Sequence, residues 1–341
     1  MPERQPRFPR RRTASRVASL VDSLLRGDKR AAAKLISLIE DDEPEATEAL
    51  ALIHPRTGRA HIVGLTGPPG VGKSSLINRL VRAYRKRGKR VGVVAVDPTS
   101  PFTGGAVLGD RIRMAETGTD PGVFIRSMAT RGHTGGLALA TFDAVRVLDA
   151  LGMEIVFVET VGAGQSEVEI AKRAHTTVVV EMPLTGDAVQ ALKAGILEIG
   201  DLYVVNKIDL APADDLVANL RFQIGPRDGW TPLIVQTSAT EDRGIPDLVL
   251  TLEKHRKFLV SSGLLRRREV SRARQEILEN TKRLVEERAQ RVERIGSALE
   301  RLAEEVVDRK VDPHAAAARL LGGVSRARRV HIPRRRARKA S

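Results

Sequence analysis

Gly67-Pro68-Pro69-Gly70-Val71-Gly72-Lys73-Ser74 follows the apolar run His61–Thr66 and precedes an amphipathic stretch around residues 74–87. The octet has the spacing of a phosphate-binding loop: glycine, four residues, then Gly-Lys-Ser. Gly67, Gly70 and Gly72 let backbone amides turn inward around phosphate oxygens. Lys73 brings a positive charge for the β- and γ-phosphates, and Ser74 a hydroxyl for a divalent cation. A helix starting near Lys73 adds its positive N-terminal end. The expected cradle is Gly67, Pro68, Pro69, Gly70, Val71, Gly72, Lys73, Ser74 and Ser75, with Lys73 also a catalytic candidate.

Outward from this loop the chain alternates between two rhythms. Short β-branched runs recur at 61–66, 90–96, 122–125, 154–159, 176–181, 202–205 and 232–236. Helix-like stretches separate them, around 74–87, 107–116, 137–149, 166–173, 187–198, 212–222 and 246–260. Such alternation predicts an α/β fold, with right-handed crossovers and a doubly wound, mostly parallel sheet. Ligands of such sheets gather beyond the carboxyl ends of the strands, where the motifs fall. Upstream, Val17, Leu20, Val21, Leu24 and Leu25 lie at helical spacing, and residues 31–39 continue the pattern. Downstream of Gly263 the strands stop. Leu278, Val285, Val292, Leu299 and Val306 recur every seven residues, joined by Ile295 and Leu302 at a second seam position. Thr281 and Arg288 interrupt that second seam, so periodicity leaves a dimer contact and packing on the chain's own domain equally open. The expected divisions are a basic arm at 1–16, a helical segment at 17–56, a nucleotide-binding domain at 57–263, a helical region at 264–323 and a basic tail at 324–341.

The nucleotide base is read from a second motif. The run Leu202–Val205 ends in Asn206-Lys207-Ile208-Asp209, and Asp209 can accept the paired ring and exocyclic N–H donors of guanine. Adenine has no such pair, so GTP is preferred over ATP. Ser238 and Ala239, after the last β-branched run, are expected to support the base. Three acids, Asp97, Asp110 and Glu159, are candidates for Mg²⁺ beside Ser74, because carboxylates at neighbouring strand ends converge on one crevice. Glu159 closes the apolar run 155–158 and needs a partner there. Gln165 follows closely and is a candidate for orienting water.

Composition narrows the classes. The 341 residues contain no cysteine, which excludes disulfides, thiolate metal sites and cysteine nucleophiles. No apolar run approaches the ~18 residues of a membrane span, and no secretory signal pattern is present, so a cytoplasmic protein is expected. The net charge of +15 points first to a polyanion. Its distribution redirects that reading: residues 1–16 carry +5 and residues 324–341 carry +8, leaving +2 for everything between.

Several longer stretches are distinctive: 96–105 (VDPTSPFTGG), 108–111 (LGDR), 126–133 (RSMATRGH) and 159–167 (ETVGAGQSE), continued by Gly186-Asp187 with Gln190 and Lys193. On these the sequence resembles the MeaB/ArgK group of P-loop GTPases, whose human mitochondrial member is MMAA, over roughly residues 17–323. The resemblance implies a SIMIBI-type GTPase that acts as chaperone to an adenosylcobalamin-dependent acyl-CoA mutase of the methylmalonyl-CoA type. It implies homodimers joined through C-terminal helices, Ser74, Asp97, Asp110 and Glu159 in the Mg²⁺ and switch region, and Asp187 and Lys193 in a third switch answering to the mutase. No cobalamin is assigned to the chain itself, and no membrane partner. The segment 182–187 (MPLTGD) departs from the family's Pro-Gly-x-Gly-Asp form, and Thr134 stands where a leucine is common. Two other functions share the nucleotide logic: a nucleic-acid- or ribosome-associated GTPase using the basic arms, and a metallocentre-maturation GTPase. The seven unclustered histidines speak against the latter.

Overall fold

Strands rich in Val, Ile and Leu that are apolar on both faces belong in a parallel sheet covered by helices. The computed structural model has that sheet, and it describes residues 10–97, 119–129, 134–160, 173–183, 198–291 and 293–326. Its strands are β1 (His61–Thr66), β2 (Val91–Asp97), β3 (Val123–Ala129), β4 (Ile155–Glu159), β5 (Thr176–Glu181), β6 (Leu202–Val205) and β7 (Leu233–Gln236). Their order is β3-β2-β4-β1-β5-β6-β7, and every pair is parallel. The α/β expectation is borne out.

The described helices are α1 (Arg10–Leu25), α2 (Lys29–Glu40), α3 (Pro44–Ile53), α4 (Lys73–Lys86), α5 (Thr134–Ala150), α6 (Asp214–Gln223), α7 (Ile245–Ser261), α8 (Leu264–Arg291), α9 (Glu293–Val307) and α10 (Pro313–Arg326). A short 3-10 turn, His54–Arg56, follows α3. The two-residue alternation of the strands sorts side chains onto two faces. Val94, Val96, Val156 and Val158 pack with α5 and the buried faces of α1, α2 and α3. Val93, Phe157, Val178 and Val204 pack on the other face with Leu76, Leu80 and Tyr84 of α4 and Leu248 and Leu252 of α7. Covering both faces is what a doubly wound sheet requires.

Some boundaries differ from the sequence reading. The N-terminal segment holds a third helix, α3, where Pro44 occupies the first turn and small side chains, Ala46 and Ala49, face inward. Helix α1 begins at Arg10, inside the stretch read as an arm, and α10 reaches Arg326, inside the stretch read as a tail. β3 continues past the apolar run 123–125 because α2 supplies polar partners: Arg126 pairs with Glu40 and donates to Ser37. The stretches 107–116, 166–173 and 187–198 fall almost wholly outside the described residues.

Two compact units divide the chain, Met1–Arg268 and Glu269–Ser341. The division falls within α8. In the second unit α9 packs on α10, with Arg319 bridging to Glu305 at 3.3 Å. Asp312 caps α10 by accepting from the amides of His314 and Ala315. No described helix is long and apolar enough to cross a membrane.

Candidate nucleotide site

The phosphate loop joins β1 to α4, and its glycines are fixed by what surrounds them. Gly67 has φ 138°, and a Cβ there would press into the Val180 carbonyl of β5. Gly72 has φ 93° and stands at the N-cap of α4 with no side-chain cap. A Cβ on it would lie 2.6 Å from Asn206 Nδ2 and 3.8 Å from Lys207 Cε. The loop therefore lies against the Asn206-Lys207-Ile208-Asp209 tetrad. The uncapped amides at the start of α4 are the donors that phosphate oxygens require.

Lys73 is buried, and its Nζ donates to the carbonyls of Gly67 and Pro68 at 2.7 and 2.9 Å, spanning the loop. Ser74 is also buried; its Oγ donates to Glu159 Oε1 at 2.6 Å. The acid ending β4 thus meets the first turn of α4, across a sequence separation of 85 residues. A carboxylate that accepts the Ser74 proton turns the hydroxyl's lone pairs outward, and a hard divalent cation fits that donor set. The side chain of Asp97, at the end of β2, and the whole of Asp110, Gln165, Asp187 and Lys193 lie outside what is described. Among the described residues no three acids or histidines gather as a metal cluster.

Asn206, 1% exposed, is the hub of the site. Its Nδ2 donates to the Val71 carbonyl at 2.8 Å, while Oδ1 accepts from Thr237 Oγ1 at 3.0 Å and the Ala239 amide at 3.2 Å. One amide side chain thereby ties the phosphate loop to the loop after β7. Lys207 takes a left-handed backbone, φ 63°. Asp209 is exposed; hydrogen bonding from Ser238, and then from Thr240, holds its carboxyl below the usual carboxylate range. It is ionised at neutral pH, as an acceptor of two N–H donors must be. The site also contains residues that sequence reading missed. Arg79 reaches from α4 to the carbonyls of Ala239 (2.6 Å) and Thr240 (3.0 Å), clamping the base loop from the helix that starts at the phosphates. Thr240 donates to Asp209 at 3.2 Å. A lone arginine on an amphipathic helix carries no sequence signal for such a role.

A Gly-x-x-x-x-Gly-Lys-Ser loop on a parallel sheet, an acid behind its serine, and an Asn-Lys-x-Asp tetrad tied to that loop are the arrangement of a P-loop GTPase. The family model described as methylmalonyl Co-A mutase-associated GTPase MeaB matches residues 32–294, and the chain belongs to that family. A protein of Pyrococcus horikoshii named as a GTPase is 48% identical over 307 residues, covering 88% of this chain and 96% of its own length. The Caenorhabditis elegans protein named methylmalonic aciduria type A homolog, mitochondrial, is 32% identical, covering 88% and 81%. Among solved structures, one titled LAO/AO transport system kinase aligns with a TM-score of 0.67 at 25% identity, over 91% of this chain and 98% of that one.

Proposed function

We propose that this GTPase serves as a chaperone for an adenosylcobalamin-dependent mutase of the methylmalonyl-CoA type, assisting its assembly, cofactor loading and protection. One observation carries the partner: the mutase-associated family matches 263 of the 341 residues, from 32 to 294. The 32% identity to a methylmalonic aciduria type A homolog supports the same reading.

The chemistry needs little covalent help, since phosphoryl transfer is accelerated mainly by positioning and electrostatics. Lys73 faces the β- and γ-phosphates from the head of α4. Mg²⁺, when bound, would supply charge neutralisation there, held by Ser74 with Glu159 behind it and, on the family's pattern, by Asp97 and Asp110. Gln165 is assigned to the attacking water. Asp187 and Lys193 belong to the segment that answers to the mutase, with loops ordered by the γ-phosphate and released on hydrolysis. Asp209 selects guanine. A homodimer through residues 264–323 is supported by the apolar seam, in which Leu278 and Leu299 are more than half exposed in the single chain.

The test is affinity capture from a cytoplasmic extract, with the chain loaded either with GDP or with a non-hydrolysable GTP analogue. A cobalamin-dependent mutase is expected to be retained more strongly in one nucleotide state than in the other, and Lys73→Ala is expected to abolish that difference. Recovery of ribosomes or RNA alone would overturn the chaperone reading.

A further inference from the structure

At the amino ends of the central strands, the opposite end of the sheet from the nucleotide site, lies a cleft of about 450 Å³. Arg26 after α1, Arg56 of the 3-10 turn, Arg59 before β1, Arg90 before β2, and Asp149 and Glu154 around the α5–β4 turn line it. Arg90 and Glu154 precede the first residues of β2 and β4, whose far ends carry Asp97 and Glu159. Strands of this length put roughly 15–20 Å between the two sites at ~3.3 Å per residue.

The acids of the cleft are already committed. Asp149 accepts from the amides of Gly58 (2.5 Å), Arg59 (3.2 Å) and Ala60 (3.1 Å). Glu154 accepts from Lys89 Nζ at 2.8 Å and from the Arg90 amide at 3.0 Å. Among the described residues, none of the four arginines makes an ion pair with a carboxylate. The α5–β4 turn is shaped around one of them. Gly152, at φ 91°, leaves room for the Arg90 guanidinium, and a Cβ there would lie 2.9 Å from Arg90 Nη1.

Four guanidinium groups line this concave space against two acids, of which Asp149 interacts with Arg59 and Glu154 pairs with Lys89, and the positive excess matches an anion of several charges. Planar guanidinium forks pair phosphate oxygens two at a time. The volume is that of a small-molecule site. No aromatic ring lines the cleft, so it lacks the stacking surfaces on which single-stranded nucleic acid is held. We propose that this cleft binds a pyrophosphate-bearing small molecule, at a site separate from the phosphate loop.

Equilibrium dialysis of radiolabelled inorganic pyrophosphate against the full chain saturated with GDP tests the assignment. One equivalent is expected to bind, with affinity that falls as salt rises. Arg56 and Arg59 are exposed, so the double variant Arg56→Gln/Arg59→Gln is expected to keep its circular dichroism and GTP hydrolysis while binding pyrophosphate at least about tenfold more weakly. Arg90→Gln is expected to weaken it further, and Arg90→Lys to restore part of the loss. No binding beyond the GDP site, or binding indifferent to these substitutions and displaced by excess GTP, would overturn the proposal. Competition by a short single-stranded RNA at equal concentration would overturn it as well, by making the cleft part of a nucleic-acid surface.

Discussion

At the scale of single residues, the nucleotide site turns on the contact between Gly72 and Asn206. The asparagine is buried and makes three hydrogen bonds, to Val71, Thr237 and Ala239. It can do so only because Gly72 has no side chain in the way. Gly72→Ala adds two costs. The left-handed backbone disfavours alanine by about 1 kcal/mol, and the new methyl group displaces the asparagine from its bonds. Asn206→Ala removes the same bonds without backbone strain and leaves the buried Val71 carbonyl and Ala239 amide unmet, at about 1–3 kcal/mol each. Both variants are therefore expected to bind a fluorescent GDP analogue more than tenfold more weakly and to melt several degrees lower. Unaltered GDP affinity in both would show that the two loops hold their positions independently of this side chain.

At the scale of elements, the end of the sheet away from the nucleotide is held by buried polar groups rather than by apolar packing alone. His61 Nε2 on β1 lies 2.8 Å from Thr176 Oγ1 on β5, and Thr176 lies 2.9 Å from His255 Nδ1 on α7. The other side of His255 faces Asp201 at 3.6 Å, and Arg268 at the head of α8 grips the same carboxylate at 2.9 Å. A single hydroxyl has one proton, so the arrangement that makes both bonds at Thr176 and turns the remaining N–H of His255 towards Asp201 has His61 donating to Thr176 and Thr176 donating to His255. An imidazole that accepts at Nδ1 is neutral, so this arrangement requires a neutral His255. Burial is the main cause that pushes His61 down to about 3, helped by the charges of Arg256 and His255. Burial likewise pushes His255 to about 4, against the pull of Asp201 and with a further push from Arg268. Unfolded histidines titrate near 6.5, so below that pH the unfolded chain takes up protons that the folded chain refuses. Stability is complete above about pH 6.5 and falls as the pH drops towards 4, by up to about 1.4 kcal/mol per pH unit for each histidine. The urea midpoint is expected to be clearly lower near pH 5 than near pH 7, and His61→Gln is expected to reduce that difference. A midpoint that ignores pH across this window would contradict the neutral network. None of this network is legible in the sequence, because its members are scattered from residue 61 to residue 268 and each reads alone as an ordinary polar residue. Arg79 was missed for the same reason, lying 160 residues from the carbonyls it binds. The strands were legible because β-branched runs are local, and the phosphate loop and Asn206-Lys207-Ile208-Asp209 because each is contiguous. The third N-terminal helix escaped because Ala46 and Ala49 give weak periodicity.

At the scale of the whole molecule, the nucleotide residues brought together here, from Gly67 to Thr240, all fall in the unit Met1–Arg268. The second unit carries no part of that described chemistry, and its apolar side chains demand another account. Ile277, Leu278, Leu284 and Leu299 are each at least half exposed in the single chain. Four large aliphatic side chains left in water on a helical region with a seven-residue repeat are what a helical interface between copies leaves uncovered in one copy. The charge of the chain argues the same way from the other side. Only +2 of the +15 lies between the arms, so two copies meeting through residues 264–323 face little net repulsion from their cores. The proposed dimer is expected to show as twice the chain mass by light scattering on gel filtration. Leu278→Glu/Leu299→Glu places buried, unpaired carboxylates in that interface, where each is costly, and is expected to give the single-chain mass. Because both positions lie outside the nucleotide unit, GTP hydrolysis per chain is expected to change less than about twofold, well under the tenfold that 1.4 kcal/mol would make. A double variant that keeps the mass of the parent would place the subunit contact elsewhere. One that lost hydrolysis together with dimerisation would mean that the nucleotide site depends on its neighbouring copy.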